Sequence, residues 1–525
     1  MVKQLAISAT DKESRTEVPT NMVEKEVEND QAVAIEEDGR TVQGDVVDWA
    51  GEDDVEKPLN WTNKRKAKQI VVICYNTFLT PLGSTMFAPA IQQVMTTFQS
   101  SNPLLASFVV SVWVLGYFFG PLVIGPLSEL YGRLPIYAIC SVLFVLANVA
   151  TALAPSLGSL IFFRFLAGTF GASPITIGAG TFGDLIKPQH RGGIIAIWSL
   201  GPLLGPILGP IAGGYLGEDA GWRWICWVLA IAAGVGSVAT IVFQEETYPV
   251  VLLERKAARL RKETGNENLT SALAGAKMKP REVFARGIIR PMRLLIFSPI
   301  VASLSIYQGL VYGFMYLLFT TFPIVFQYQY GFSTGTIGLT YLGMGVGSLI
   351  GLTWGGVWSD ALYKKKSKEG AGRWKPEYRL LPLVPGCLFI PIGLFWYGWS
   401  AQAKVHWIVP IVGTMFMGVG VNMVMVLNLS PLRRNTLTKR QMCIVTYIID
   451  SYPLYEASAS GALTAVRSLI GALVPLFGRS MYQALNLGWG NSLLGFLALA
   501  MCPLPWLFLM YGERIRTNPR FQVKM

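Results

Sequence analysis

Long apolar runs separated by short polar stretches organise this chain. Six lie near residues 69–90, 104–126, 135–155, 158–183, 192–216 and 222–243, and six more near 297–326, 335–360, 379–399, 405–426, 457–483 and 490–511. Each approaches or exceeds the roughly 20 apolar residues that an α-helix needs to cross the hydrocarbon core of a bilayer. The pattern predicts an all-α membrane protein of about twelve transmembrane helices in two six-helix halves. It divides the chain into an acidic, disordered cytosolic tail (1–66), an N-terminal half (67–243), a basic cytosolic central loop (244–296), a C-terminal half (297–511) and a second cytosolic tail (512–525).

Charge orients these elements. Segments 92–103, 155–158, 327–334 and 486–491 hold no Lys or Arg, whereas loops predicted on the other side carry Arg133, Lys187, Arg191, Lys364, Lys365, Lys366, Lys368, Arg373 and Lys375. Basic loops stay in the cytosol, so both termini are expected inside. The gap 245–295 adds eleven bases and is long enough to join two halves. The first 57 residues hold 16 of the 32 acids and six of the 44 bases, and the aromatic-poor stretch 1–45 suits disorder. The start lacks the basic-then-apolar pattern of a cleaved signal.

Composition narrows the function classes. With 52% hydrophobic and 14% charged residues, the chain is too apolar to cover its own surface in water. A pI near 9.3 could suggest nucleic acid, but the bases sit between apolar runs rather than on one exposed face. Cys74, Cys140, Cys226, Cys387, Cys443 and Cys502 are scattered, with no CxxC, and are expected to pack helices. His190 and His406 are the only histidines, and neither a nucleotide loop nor metal-ligand spacing occurs, which argues against an enzyme. A selectivity-filter signature is also missing, which argues against a channel. The sequons at Asn60, Asn268 and Asn428 fall on the predicted inner side, so no N-glycan is expected.

The two halves echo one another. Gly125, Glu129 and Arg133 close the second run, and Gly356, Asp360 and Lys364 close the eighth at the same spacing. Asp184, Pro188 and Arg191 follow the fourth run, as Asp450 and Pro453 follow the tenth. Parallel six-helix repeats are a transporter architecture, with a binding site expected near mid-membrane between the halves.

At these residues the chain resembles the major facilitator superfamily, and within it the fungal twelve-helix drug:proton antiporters, from about Asp48 to Arg520. Residues 125–133 look like the signature after the second helix, 160–172 like the fourth-helix signature around Arg164, and 205–214 like the fifth-helix antiporter signature. Asp48, Trp49, Asn60 and Trp61 before the first helix, with 246–249 and 252–255 after the sixth, also resemble fungal members. Two positions depart from the pattern: Leu134 stands where a second base is common, and Glu129 replaces the commoner Asp. The resemblance implies proton-coupled export of drugs, toxins or secondary metabolites by a monomer in the plasma membrane, with the vacuolar or another internal membrane as the alternative, and no cofactor beyond the proton gradient. A proton-coupled importer or a polyamine transporter of the same fold is the alternative.

The candidate residues follow from the same reading. Arg164 lies about 9 Å into the fourth helix at 1.5 Å per residue, where a cation is costly and is expected to face the bundle interior or a water-filled cavity. The family implicates it in proton coupling; snorkelling to the interface is the alternative. Glu129, Arg133, Asp184, Arg191, Asp360 and Asp450 gather at cytosolic helix ends, where acid–base contacts can bias a two-state motion or simply anchor topology. Gly205, Gly209, Gly213 and Gly214 smooth the fifth helix for close approach, and Pro206 and Pro210 bend it. Asn76, Thr80, Trp113, Tyr117, Gln308, Tyr312 and Tyr316 are polar or aromatic points on otherwise apolar helices, and are expected either to line an apolar substrate cavity or to pack. Apart from Asp360 at the end of the eighth run, no Asp or Glu lies inside a run, which ranks polyamines below neutral lipophilic or amphipathic cargo.

One stretch breaks the pattern. Residues 426–441 insert four bases into the tenth helix, and joining Met425 to Met442 restores one helix that ends at Asp450. A retained intron in the gene sequence explains this, and a basic cytosolic loop is the rival. Sequencing the transcript decides between them, because a full-length message as the only species sinks the intron.

Overall fold

The computed structural model describes residues 42–43, 45–51, 53–187, 190–274, 280–369, 376–381, 383–425, 447 and 456–517. Segment 426–441 and Asp450 lie outside the described residues, so the structure does not bear on the insertion.

The N-terminal half is built from α1 (Asn63–Thr85), the short α2 (Ile91–Thr97), α3 (Pro103–Tyr131), α4 (Arg133–Ala152), α5 (Leu157–Gly171) continued by α6 (Ser173–Leu185), α7 (Arg191–Asp219) and α8 (Trp222–Phe243). The local sequence starts and stops these helices. Asn102 caps α3, its side chain accepting from the Leu104 N–H, and Pro103 occupies the first turn, where no N–H is needed. Ser156 and Ser159 form a reciprocal capping box at the start of α5. Gly132, at φ +98°, makes the sharp corner between α3 and α4.

After the linker helices α9 (Pro249–Thr264) and α10 (Pro280–Phe297) comes the C-terminal half: α11 (Pro299–Tyr330), α12 (Thr334–Glu369), α13 (Leu383–Gln402), α14 (Ile408–Met425), α15 (Glu456–Met501) and α16 (Pro503–Thr517). Ten described segments are long and apolar enough to cross a membrane. The last of them, 458–517, reverses at Asn486, where φ is +58°, and so supplies two rods. α1 is less apolar because Lys64, Arg65, Lys66 and Lys68 open it, yet it packs along α7 and completes twelve.

Within the halves α1 lies on α7, α4 on α8, α11 on α15 and α14 on both α12 and α13. Between the halves α3 meets α15, and α7 meets α12. The end of the bundle that carries α9 is called the linker end below, and the opposite one the far end.

The charge pattern predicts a disordered tail to residue 66 and a plain basic loop after residue 243. Among the described residues, segment 42–62 is instead ordered against the linker, and the linker carries α9 and α10. Val42–Gln43 (β1) pairs antiparallel with Val46–Val47 (β2), which pairs parallel with Thr270–Ser271 (β3) in the linker. Asp54 lies 3.1 Å from Lys256 Nζ, and Glu56 lies 2.8 Å from Arg259, both bases on α9. Val47, Ala257, Leu260 and Leu269 bury one another beneath these pairs. The acid surplus of one segment thus meets the base surplus of the other over a small apolar core, and each orders its partner. Burial raises the Asp54 carboxyl, but the Ala50 and Glu56 N–H groups and the Lys256 ammonium outweigh it and hold the group below its usual value.

Candidate functional site

Arg164 is fully sheathed. On α5 it is 2% exposed, and its Nε donates to the Val109 carbonyl of α3 at 2.7 Å. A second nitrogen reaches the Ser84 carbonyl of α1 at 3.4 Å. That carbonyl lies in the last turn of α1, where helix acceptors have no partner within the helix. The guanidinium also lies 4.3 Å from the Phe87 ring centre and 5.1 Å from that of Trp113. Arg164 therefore faces the interior of the N-terminal half instead of snorkelling.

The boundary between the halves, called the cleft below, gathers buried aromatic and hydroxyl groups from α1, α3 and α11, with Arg467 of α15 beside them. Trp113 Nε1 donates to the Tyr117 hydroxyl at 3.1 Å, both on α3. Ser84 Oγ on α1 and Tyr316 OH on α11 are 3.0 Å apart, a hydrogen bond that joins the halves. The Tyr312 and Tyr316 rings meet at 4.9 Å. Arg467 of α15 stands over the Tyr312 ring at 5.3 Å. Just beyond it, α15 approaches closely at Gly471, where a Cβ would lie 2.6 Å from the Tyr312 ring and 3.4 Å from Val114.

Other candidates point elsewhere. Asn76 donates to Thr240 Oγ1 of α8 at 3.0 Å, and Thr80 to the Gly171 carbonyl at 2.8 Å. Both line a small cavity of about 20 Å³ inside the N-terminal half, with Tyr137, Ser141, Phe144 and Phe170, room for about one water molecule. Gln308 reaches Met425 Sδ at 3.5 Å, and its Oε1 is buried without a partner.

At the linker end Arg133 is the hub of the predicted charges. Its Nε is 3.5 Å from Asp184, and another guanidinium nitrogen donates to Ser128 Oγ at 2.7 Å. Its guanidinium covers the Tyr248 ring at 4.7 Å. Arg191 instead donates to the Gly183 carbonyl at 2.9 Å and closes the end of α6. Glu129 is exposed, with no ion pair among the described residues. Asp360 lies on α12, and its side chain is outside the described set.

The organising acid here is one the candidate set lacks. Glu246, 4% exposed, accepts from the N–H groups of Arg133 at 2.9 Å and Leu134 at 3.3 Å, capping α4. It also accepts from Thr247 at 3.0 Å and Tyr248 at 2.9 Å. A Cβ at Gly132 would fall 2.3 Å from this carboxylate, so the corner must be glycine. The family-like stretch 246–249 was the available signal for it. Arg467 is the second omission: with Arg479 it is one of two cations inside the eleventh run, and the reasoning applied to Arg164 extends to it.

The glycines of α7 face two ways. A Cβ at Gly205, Gly209 or Gly213 would come within 2.8, 2.3 and 1.9 Å of α1 and the residue that follows it. Gly214 turns instead to the C-terminal half, where a Cβ would meet the Thr334 carbonyl at 2.7 Å. Gly338 answers from α12, where a Cβ would lie 2.4 Å from the Pro210 carbonyl, and Glu218 accepts from Ser333 and the Gly335 N–H. At the far end the halves thus approach closely through backbone at glycines, with the Glu218 carboxylate hydrogen-bonded across the contact. Pro202, Pro206 and Pro210 all lie inside α7.

This arrangement of paired six-helix halves matches known proteins. The family model described as Major Facilitator Superfamily matches residues 73–436. The chain is 53% identical over 478 residues to the MFS-type transporter penM of Penicillium rubens, covering 91% of each chain. It is 48% identical to the efflux pump radE of Floropilus chiversii, covering 91% of this chain and 86% of that one. Among solved structures, the xylose transporter XylE from E. coli in a partially occluded inward open conformation superposes with a TM-score of 0.61 at 17% identity, over 85% of this chain and 98% of that one. The chain belongs to the major facilitator superfamily and is a multi-pass membrane transporter, not an enzyme.

Proposed function

We propose that this transporter exports lipophilic or amphipathic small molecules, such as drugs, toxins or secondary metabolites, from the cytosol by proton antiport and alternating access. The observation that carries the reading is the cleft, where Ser84, Trp113 and Tyr117 of one half face Tyr312 and Tyr316 of the other. Aromatic walls with a few hydroxyl groups suit a largely apolar organic molecule. The far-end contact of α7 with α12 is close backbone packing at glycines, and opening it exchanges the two Glu218 hydrogen bonds for water and breaks few other side-chain contacts. With the linker end in the cytosol, that contact is the outer gate. Asp184, beside Arg133, is the carboxyl group placed to exchange a proton with the inner aqueous face. Similarity to a protein named an efflux pump supports the outward direction.

The test is accumulation in the cell. Loss of the gene should raise intracellular levels of at least one toxic compound in a broad panel, and collapsing the proton gradient in unmodified cells should reproduce that rise. Unchanged accumulation across the panel would argue for import instead.

A further inference from the structure

Arg467 sits about 14 Å along α15 from Ser458, where the apolar span begins. That is close to the middle of a hydrocarbon core roughly 30 Å thick. A charge at this depth is expensive unless something compensates it. Arg164 has two carbonyl acceptors and two rings. Arg467 has one ring, Tyr312; its Nε is buried and donates to nothing, and no carboxylate among the described residues pairs with it. Its neighbours add further donors in the hydroxyls of Tyr117 and Tyr316, which meet Ser84 in the same cleft, while the Ser84 hydroxyl itself donates to the Pro81 carbonyl at 2.8 Å. What this constellation lacks is a strong acceptor.

We propose that the cleft binds an anionic group of the cargo, a carboxylate or an ionised acidic enol or phenol, with Arg467 as its counter-charge. The aromatic walls receive the apolar body of the molecule, so the cargo is an amphipathic organic acid. This specification rests on the transport reading above and narrows it. A cationic cargo is disfavoured, because a cation would bring like charge to an arginine with no acid among the described residues of the cleft to hold it. The anion also gives the halves a reason to close: it bridges Arg467 of one half to the Tyr117 hydroxyl of the other, a contact made only in the occupied state.

Purified full-length protein in detergent, titrated with matched aromatic probes, tests this. The probes are naphthaleneacetic acid, its uncharged amide and naphthylmethylamine, read by equilibrium binding. The acid should bind at least about tenfold more tightly than the amide, as expected when a charge-assisted hydrogen bond is added. Arg467→Gln should erase that preference while leaving amide binding within about twofold, and Arg467→Lys should keep part of it. An unchanged unfolding temperature for Arg467→Gln separates binding from folding. Equal or weaker binding of the acid by the wild type, or an acid preference that survives Arg467→Gln, would overturn the inference. Vesicle transport separates it from the parent reading. Movement of the amide or amine but not the acid sinks the anion alone, whereas an acid that binds but is never moved sinks transport alone.

Discussion

Arg164 and Arg467 are both arginines set within membrane-spanning helices, one in each half, yet their surroundings differ in kind. Arg164 is enclosed by the Val109 and Ser84 carbonyls and by Phe87 and Trp113, all from its own half. Arg467 is half-buried at the boundary between the halves, with one ring and an Nε that donates to nothing. An ionised group whose needs are met within one rigid body stabilises that body. One whose needs are unmet at a moving boundary is available to a ligand. The comparison assigns Arg164 mainly to the architecture of the N-terminal half and Arg467 to cargo.

The largest expected effect separates the two directly. Arg164→Ala takes the side-chain partner from the Ser84 carbonyl at the end of α1 and leaves a void, and should lower stability by about 3–5 kcal/mol. Arg467→Ala should cost less than about 1 kcal/mol while weakening acid binding. Thermal unfolding of both variants in the same detergent measures this, and equal losses would erase the distinction.

Glu246 extends the comparison to the linker end, where an anion is satisfied by backbone. Glu246→Ala removes the acceptor for four N–H groups and should cost about 2–3 kcal/mol. Glu246→Gln should recover about half of that loss. A surface-like cost below about 0.5 kcal/mol would contradict the capping role.

The two faces of α7 sharpen the contrast between rigid and moving contacts. Gly209→Ala presses on α1 within one half and should lower stability by about 1–3 kcal/mol. Gly214→Ala presses on α12 across the boundary. It should shift the balance toward a far-end-open state by about 1–2 kcal/mol, about tenfold in population, with little change in stability. Labelling rates of a cysteine introduced at Trp113 report that shift, and an unchanged rate would show that the contact is no gate.

The smallest effect lies in the linker clasp. Asp54→Asn should cost less than about 1 kcal/mol. Because the folded-state value of Asp54 is lowered, its contribution is complete at neutral pH, holds above about pH 4, and is lost as pH falls through the lowered value. Hydrogen exchange over residues 45–62 should rise under acid conditions in the wild type and already at pH 7 in the variant. Identical exchange in both would remove Asp54 from the clasp.

Much of this was legible in the sequence because membrane helices advertise themselves by length and apolarity, and because Gly125, Glu129 and Arg133 recur in register as Gly356, Asp360 and Lys364. Arg133 and Asp184 do come together at the linker end. Side-chain direction was less legible. α1 is enclosed by α7, α8 and α3, so every face carries buried residues, and no periodicity tells that Asn76 looks toward α8 while Ser84 looks into the cleft. The cap that Glu246 places on α4 joins residues 113 apart, a distance at which local patterning carries no information. The clasp of 42–62 onto the linker was missed because acid-rich composition reads as disorder when its basic partner lies about 200 positions away.

The central claim is transport driven by protons, and purified protein in sealed vesicles tests it most directly. With an aromatic acid such as naphthaleneacetic acid on one side and an imposed pH gradient across the membrane, the account predicts that the acid moves against the proton flow. That movement should be abolished by a protonophore and reduced about tenfold or more in Arg467→Gln. Acid movement that ignores the pH gradient, or that proceeds with the protons, would contradict antiport and with it the account.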